Sequence, residues 1–329
     1  MPWMRLPAQS KRSRTWIQVG ASITALACTL YFVDRAEIGH HLRHMQSGWL
    51  ALTLAILLAQ YVVAAARWWF FARQLSAPLG FSRALAEYFL AGFLNQVLPF
   101  GILGDVSRGI RHARAVRAER GPGAGNARVV LAIVLERAAG QFALWLVVAA
   151  ILPGWWRATS YLSGHAFAMG ILAGLLVVAC AVLAVLAWQR WRASPDIKRL
   201  LSEAWRTMFA PKNLVIHLPL SLLLVATHTL AFVTIAHGLG LYLPFALAIR
   251  VVPLVLVTTS LPVFMAGWGV REATVAGLYH LAGLRGAEGV TIALVFGGLS
   301  LLASVPGLLA LRRKAEVIES PRDGESSAA

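Results

Sequence analysis

Charge is scarce in this chain. Only 13% of its 329 residues are Asp, Glu, Lys or Arg, about half the share usual in soluble domains. A water-soluble domain of this length is therefore excluded. Acidic residues are the scarcer kind, 14 against 30 basic ones, which leaves a net charge of +16. Cysteine is nearly absent. Cys28 and Cys180 both lie in apolar runs, so no disulfide framework is expected. Recognisable catalytic signatures are also missing. Gly121-Pro122-Gly123-Ala124-Gly125 lacks the Gly-Lys-Ser/Thr ending of a phosphate-binding loop. No His-Glu-x-x-His, Gly-x-Ser-x-Gly or paired-Cys motif occurs either. The expectation is a protein that is not an enzyme and carries no cofactor or metal.

Long apolar stretches are what the chain has instead. Hydrophobic residues make up 58% of it, with a mean hydropathy of +0.68. Apolar windows fall at 17–33, 49–66, 81–103, 128–151, 165–188, 213–239, 245–264, 270–283 and 288–311. This pattern predicts an all-α polytopic membrane protein with six to eight spans. Twelve Trp suit a bilayer interface. The basic residues cluster between apolar windows, and no polar domain is large enough to grip nucleic acid. The expected partner is a membrane lipid, with lipid-biosynthesis enzymes as possible companions and nucleic acid excluded.

Basic residues are unevenly shared among the connections. The 104–128 and 189–212 regions each have six, the 67–83 region has three, and each chain end has four. The 152–164 loop has only Arg157, and 238–244 has none. The rich connections are expected on the cytoplasmic side of the cell (inner) membrane, with both termini there. Residues 1–16 then form a basic tail, 17–311 the membrane domain, and 312–329 a disordered tail. Because 67–83 and 104–128 are both rich, the run between them is expected to enter and leave on one side. The stretch 245–283 would dip from the opposite side. A plain eight-span arrangement also satisfies the counts.

One segment has an echo. Leu98-Pro99-Phe100-Gly101-Ile102-Leu103-Gly104-Asp105-Val106-Ser107-Arg108 matches residues 261–271 at an offset of 163, with Leu-Pro, the later Gly and the Arg identical. Both copies interrupt an apolar stretch with Pro and Gly and then present charge. Paired interruptions in corresponding halves point to an inverted repeat with a substrate site between the breaks. The halves would be about 17–151 and 165–311.

Charges at membrane depth are costly and mark function. Here they include Glu87, Asp105, Arg108, Glu136, Arg137, Arg250, Arg271 and Glu272. Glu136 and Arg137 are adjacent and point about 100° apart on a helix, so each needs a partner elsewhere. Asp105 or Glu272 would serve Arg137, and Arg108 or Arg271 would serve Glu136. The expected substrate-binding set is Arg108, Arg271, Asp105, Glu136, Arg137, Glu272 and Asn95. Arg108 and Arg271 would hold an anion, since guanidinium matches phosphate oxygens. Asp105 and Glu272 also suit helix starts. Pro99, Gly101, Gly104, Pro262, Gly267 and Gly269 would shape the two breaks. Thr258, Thr259 and Ser260 hold the place of Asn95 and Gln96 in the second half. His217 and His228 share one helix face without carboxylate or Cys partners, which favours packing over metal binding.

Four motifs occur in order: Asn95-x-x-Leu98-Pro99, Gly104-Asp105-x-x-Arg108, Leu135-Glu136-Arg137-Ala138-Ala139-Gly140, and Gly267-Trp268-Gly269-Val270-Arg271-Glu272-Ala273. The set resembles the transmembrane region of lysylphosphatidylglycerol synthases, also called the flippase-like family, from about Arg14 to Arg313. One departure is the Phe100–Gly104 stretch, where the family more often has a glycine pair before the Asp. The resemblance implies a polytopic protein that moves or modifies lipids, in full-length synthases a flippase for aminoacylated phosphatidylglycerol. Stand-alone relatives occur in glycolipid and hopanoid pathways. The soluble domain that performs aminoacyl transfer is expected to be missing here. The resulting expectation is a lipid translocase for an anionic or aminoacylated phospholipid, a glycolipid or a hopanoid-type lipid. A non-catalytic scaffold of a lipid-biosynthesis complex and a membrane enzyme acting on a lipid-linked substrate are the alternatives.

Overall fold

The computed structural model describes residues 24, 27, 31, 35–98, 101–121, 126–159, 195–260 and 267–310. Pro99, Pro262, both tails, nearly all of the 17–33 window and the whole 165–188 window lie outside the described residues. Within them the chain is helical: α1 (Arg35–Arg43), α2 (Ser47–Gln74), α3 (Phe81–Val97), α4 (Leu103–Arg120), α5 (Asn126–Thr159), α6 (Pro195–Phe209), α7 (Pro211–Gly238), α8 (Phe245–Thr259), α9 (Val270–Leu281) and α10 (Gly286–Ser304). Among the described residues, four stretches are long and apolar enough to cross a bilayer: Ser47–Gln74, Ala127–Ile151, Pro211–Gly238 and Gly286–Ala310. The protein is a polytopic helical membrane protein.

Local chemistry sets the boundaries. Leu98 ends α3 in an extended conformation, as a residue before proline prefers. Gly121, at φ +90°, closes α4. Pro211 opens α7 in its first turn, where a missing N–H costs nothing. Gly269, at φ +85°, precedes α9, and its N–H donates to the Glu272 carboxylate at 2.6 Å.

The ten described helices form two sets of five. α1 through α5 recur as α6 through α10 in the same order. Packing follows the same exchange: α2 with α5 and α7 with α10, α5 with α7 and α10 with α2, α5 with α8 and α10 with α3, α1 with α10 and α6 with α5. α2 and α7, the counterparts, pack on each other at the centre. They run antiparallel. Gln46 N–H donates to the Gly238 carbonyl at 2.7 Å. Further along, the Thr53 and Thr234 hydroxyls lie 2.8 Å apart. Arg67 then donates to Ser221 at 3.0 Å, and Phe71 stands over His217 with ring centroids 5.2 Å apart. Two equivalent spanning helices that cross head to tail relate the halves by a two-fold axis across the helices, the geometry of an inverted repeat.

Each half carries a hairpin of shorter helices, α3–α4 and α8–α9. Their 17, 18, 15 and 12 residues extend about 18–27 Å, short of the ~30 Å hydrocarbon core. α4 is far too charged to face lipid alone. It turns Gly104, Arg108, His112 and Val116 into the protein.

Three expectations need correction. The window at 49–66 is too short, because α2 runs to Gln74 and buries Arg67, Trp68, Phe70 and Phe71. The 34–48 connection contains a helix, α1, and the 189–212 connection contains another, α6. α6 is strongly amphipathic: its apolar residues recur at helical spacing, and Lys198, Arg199 and Arg206 fall between them.

Candidate functional site

A buried carboxylate organises the first half. Glu136 projects from α5 with no exposure, and an unpaired charge there would be very costly. Arg67 of α2 donates to its Oε1 at 2.5 Å and Tyr88 of α3 to the same oxygen at 3.1 Å. Arg108 of α4 donates to its Oε2 at 2.7 Å. The Arg108 guanidinium lies 4.6 Å from the Trp68 ring centre and 4.5 Å from that of Tyr88, a cation–π clamp. Gly140, one turn after Glu136, leaves room for Arg67: a Cβ there would stand 3.1 Å from its Nη1.

Asp105 is the second carboxylate. It pairs with Arg137 and lies 3.0 Å from Arg108 Nε. Asn95 Nδ2 donates to it at 3.4 Å, while Asn95 Oδ1 accepts from the Gly104 N–H at 2.7 Å. Asn95 thus joins the end of α3 to the start of α4. Gly104 is required because a Cβ would overlap the Ala91 carbonyl. Gly101 makes the turn at φ +58°. The two glycines have separate tasks, one torsional and one steric, so they need not be adjacent.

The second half repeats the theme with different connections. Arg271 lies 4.8 Å from the Trp268 ring centre and 5.6 Å from that of Phe296, a counterpart of the Arg108 clamp. Gly297 makes space for its guanidinium. Its carboxylate partner is Glu272, at 3.0 Å from Nε and 2.6 Å from Nη2. Gly267, at φ +75°, lies against Thr259.

Both hairpins open on one cavity of about 1160 Å³. Arg67, Asn95, Gly101, Asp105 and Arg137 line it from the first half, and Gly267 and Arg271 from the second. Arg108, Glu136, Glu272, Gly104 and Gly269 do not. This corrects the expectation that Arg108 and Arg271 together face a ligand. Arg108 is 0% exposed, locked between a carboxylate and two rings. Arg137 is an accessible cation there, with 51% of its side chain exposed despite its bond to Asp105. Of the anticipated pairings, Arg137 takes Asp105 and Arg108 takes Glu136, whereas Arg271 and Glu272 take each other.

Arg67 was missed by the sequence analysis, which counted it among loop arginines. The signal was present: Trp68-Trp69-Phe70-Phe71-Ala72 continues the apolar run beyond it. Thr258, Thr259 and Ser260 bond their own helix carbonyls, as hydroxyls in spans do. Ser260 also accepts from Gln141 of α5 at 2.9 Å. His217 bonds the Met208 carbonyl. Among the described residues, no group of three His, Cys, Asp or Glu side chains could hold a metal.

The family model described as the lysylphosphatidylglycerol synthase TM region matches residues 15–307, and the chain belongs to that family. Neither the curated proteins nor the solved structures gave a match.

Proposed function

With that membership as premise, we propose that the protein carries a lipid with an anionic headgroup from one leaflet to the other. The observation that carries this is Arg137, half exposed on the wall of a cavity shared by both hairpins. Its companions Arg67, Arg117 and Arg271 outnumber Asp105, the one carboxylate among the described lining residues. A phosphate entering such a site exchanges water for guanidinium donors in a low-dielectric setting. Exposed Ile102, just before α4, Val106 and Ile110 of α4, and Val130 and Val134 of α5 flank the same cavity. They offer apolar surface to acyl chains while the headgroup stays among polar partners. Rocking of one half against the other would expose the site alternately. The basic loops favour a cell (inner) membrane location with cytoplasmic termini.

The test is a proteoliposome assay with fluorescent phosphatidylglycerol and an impermeant quencher. Crossing faster than in empty vesicles is expected, and Arg137→Gln should reduce it at least tenfold while the protein still purifies as a single species. Crossing at the empty-vesicle rate with aminoacylated, glycosylated and hopanoid lipids as well would refute transport and leave a scaffold role. Turnover of lipid by the purified chain would instead favour an enzyme.

A further inference from the structure

We infer that the cavity also reads hydroxyl groups, through a neutral subsite formed by Gln60 of α2 and His228 of α7, and that its cargo has a phosphate-linked polyol or sugar headgroup. This rests on the lipid-carrier reading above and narrows it.

Gln60 is only 8% exposed and lines the cavity. Its Nε2 has no acceptor among the described residues. A buried donor without a partner is destabilising, so such groups are retained where something else supplies the partner. His228 lines the same cavity. Its Nδ1 lies 2.6 Å from the Leu224 carbonyl. A carbonyl only accepts, so Nδ1 bears the proton and Nε2 is left as an acceptor.

The two residues stand at one level of the central helix pair, and both line the cavity. Thr53 meets Thr234 and Arg67 meets Ser221. In these two pairs, which flank Gln60 along α2, the residue numbers total 287 and 288, which places Gln60 level with 227–228. Phe232 and Phe296, with ring centroids 4.8 Å apart, line the cavity beside His228.

One donor and one acceptor brought together select a group that both accepts and donates. A phosphate oxygen only accepts, and an ammonium only donates. A hydroxyl does both: it accepts from Gln60 and donates to His228. Arg67 lies seven residues along α2, about 10 Å away, so phosphate and hydroxyl sites occupy successive levels of one cavity. An aminoacylated headgroup fits less well, because Asp105 is already paired with arginines.

The experiment compares phosphatidylinositol with phosphatidylethanol of the same acyl chains, titrated into the purified full chain. Both carry one phosphodiester charge, and only the first has free headgroup hydroxyls. Wild type should bind phosphatidylinositol about tenfold tighter, the scale of one or two net hydrogen bonds. Gln60→Leu and, separately, His228→Phe should erase that preference while retaining phosphatidylethanol binding, which also certifies folding. Arg137→Gln should weaken both lipids alike. Equal wild-type affinities would overturn the hydroxyl subsite and leave the anionic-lipid reading standing. A preference that survives both substitutions, tighter binding of lysylphosphatidylglycerol, or a variant that weakens both lipids equally would overturn it too. Binding of neither lipid would overturn both readings.

Discussion

Neutralising Glu136 should damage the protein far more than removing Arg67. Glu136 has no exposure and answers two guanidinium groups, at 2.5 and 2.7 Å, and one phenol. The connected cluster contains Arg67, Arg108 and Arg137 against Glu136 and Asp105, a net charge of +1. Glu136→Gln raises it to +2 and leaves Arg67 without its carboxylate. Breaking a buried pair by removing one partner costs about 3–5 kcal/mol. Arg67→Met lowers the cluster to zero, and Glu136 keeps Arg108 and Tyr88. Its cost should stay below about 1.5 kcal/mol, since no buried charge is left uncompensated. At roughly 2 °C per kcal/mol for a large domain, the glutamine variant should melt about 6–10 °C below wild type and the methionine variant within about 3 °C. Tryptophan fluorescence of the detergent-solubilised protein follows the transition. A glutamine variant as stable as wild type, or a methionine variant as unstable as the glutamine one, would refute the assignment of Glu136 as the charge that holds α2, α4 and α5 together.

Gly104→Ala should abolish lipid crossing and cost about 1–3 kcal/mol, because overpacking against backbone cannot be relieved by a rotamer change. Gly277→Ala, where a Cβ meets nothing within 4 Å, should be neutral or slightly stabilising; equal effects in melting experiments would dismiss the contact at Gly104. With Cys28 and Cys180 replaced, Thr53→Cys plus Thr234→Cys should cross-link within one chain under mild oxidation, and a gel shift lacking in both single variants is the readout. Failure to cross-link would contradict the antiparallel α2–α7 pair. In hydrogen exchange on nanodisc-embedded protein, α9 should exchange faster than α4, and the reverse order would contradict the unequal anchoring described below.

Much of this architecture was legible because membranes impose simple rules. Apolar windows located α2, α5, α7 and α10, and the Leu-Pro…Gly…Arg echo located both hairpins. The chain ends of helices were less legible. α2 seemed to stop at Arg67 because an arginine in an apolar run resembles a loop boundary; only its burial against Glu136 makes continuation stable. α1 and α6 were hidden in charge counts, although Leu200, Leu201, Ala204, Trp205 and Met208 follow a helical period. At the site, the adjacency of Glu136 and Arg137 correctly required separate partners. The same reasoning did not foresee that Arg271 would bond its neighbour Glu272. Glu272 is turned back toward the exposed N–H of Gly269 in the first turn of α9, and the long guanidinium reaches it there. Gln60 carried no signal in the sequence, since a lone amide in a span has no pattern. Its interest arises from the absence of a partner in three dimensions.

The two hairpins are equivalent in topology and unequal in anchoring. α4 is joined to other elements by ion pairs at three points: Arg108 to Glu136 of α5, Asp105 to Arg137 of α5, and Arg111 to Glu87 of α3. Separating α4 from α5 would strand buried charges, at several kcal/mol each. The Arg271–Glu272 ion pair of the second hairpin lies inside the first turn of α9 and moves with it. The hydrogen bond from Gln141 to Ser260 at 2.9 Å ties this hairpin to the first half, and such a bond is worth about 1 kcal/mol net. Gln141 and Ser260 both line the cavity. A two-fold arrangement whose first hairpin carries three such cross-element ion pairs would favour a motion in which α8–α9 separates from α5 along the cavity wall. Under the proposed carrier reading, the first half would be the frame that keeps Arg137 in place while the second changes which side of the membrane the headgroup meets.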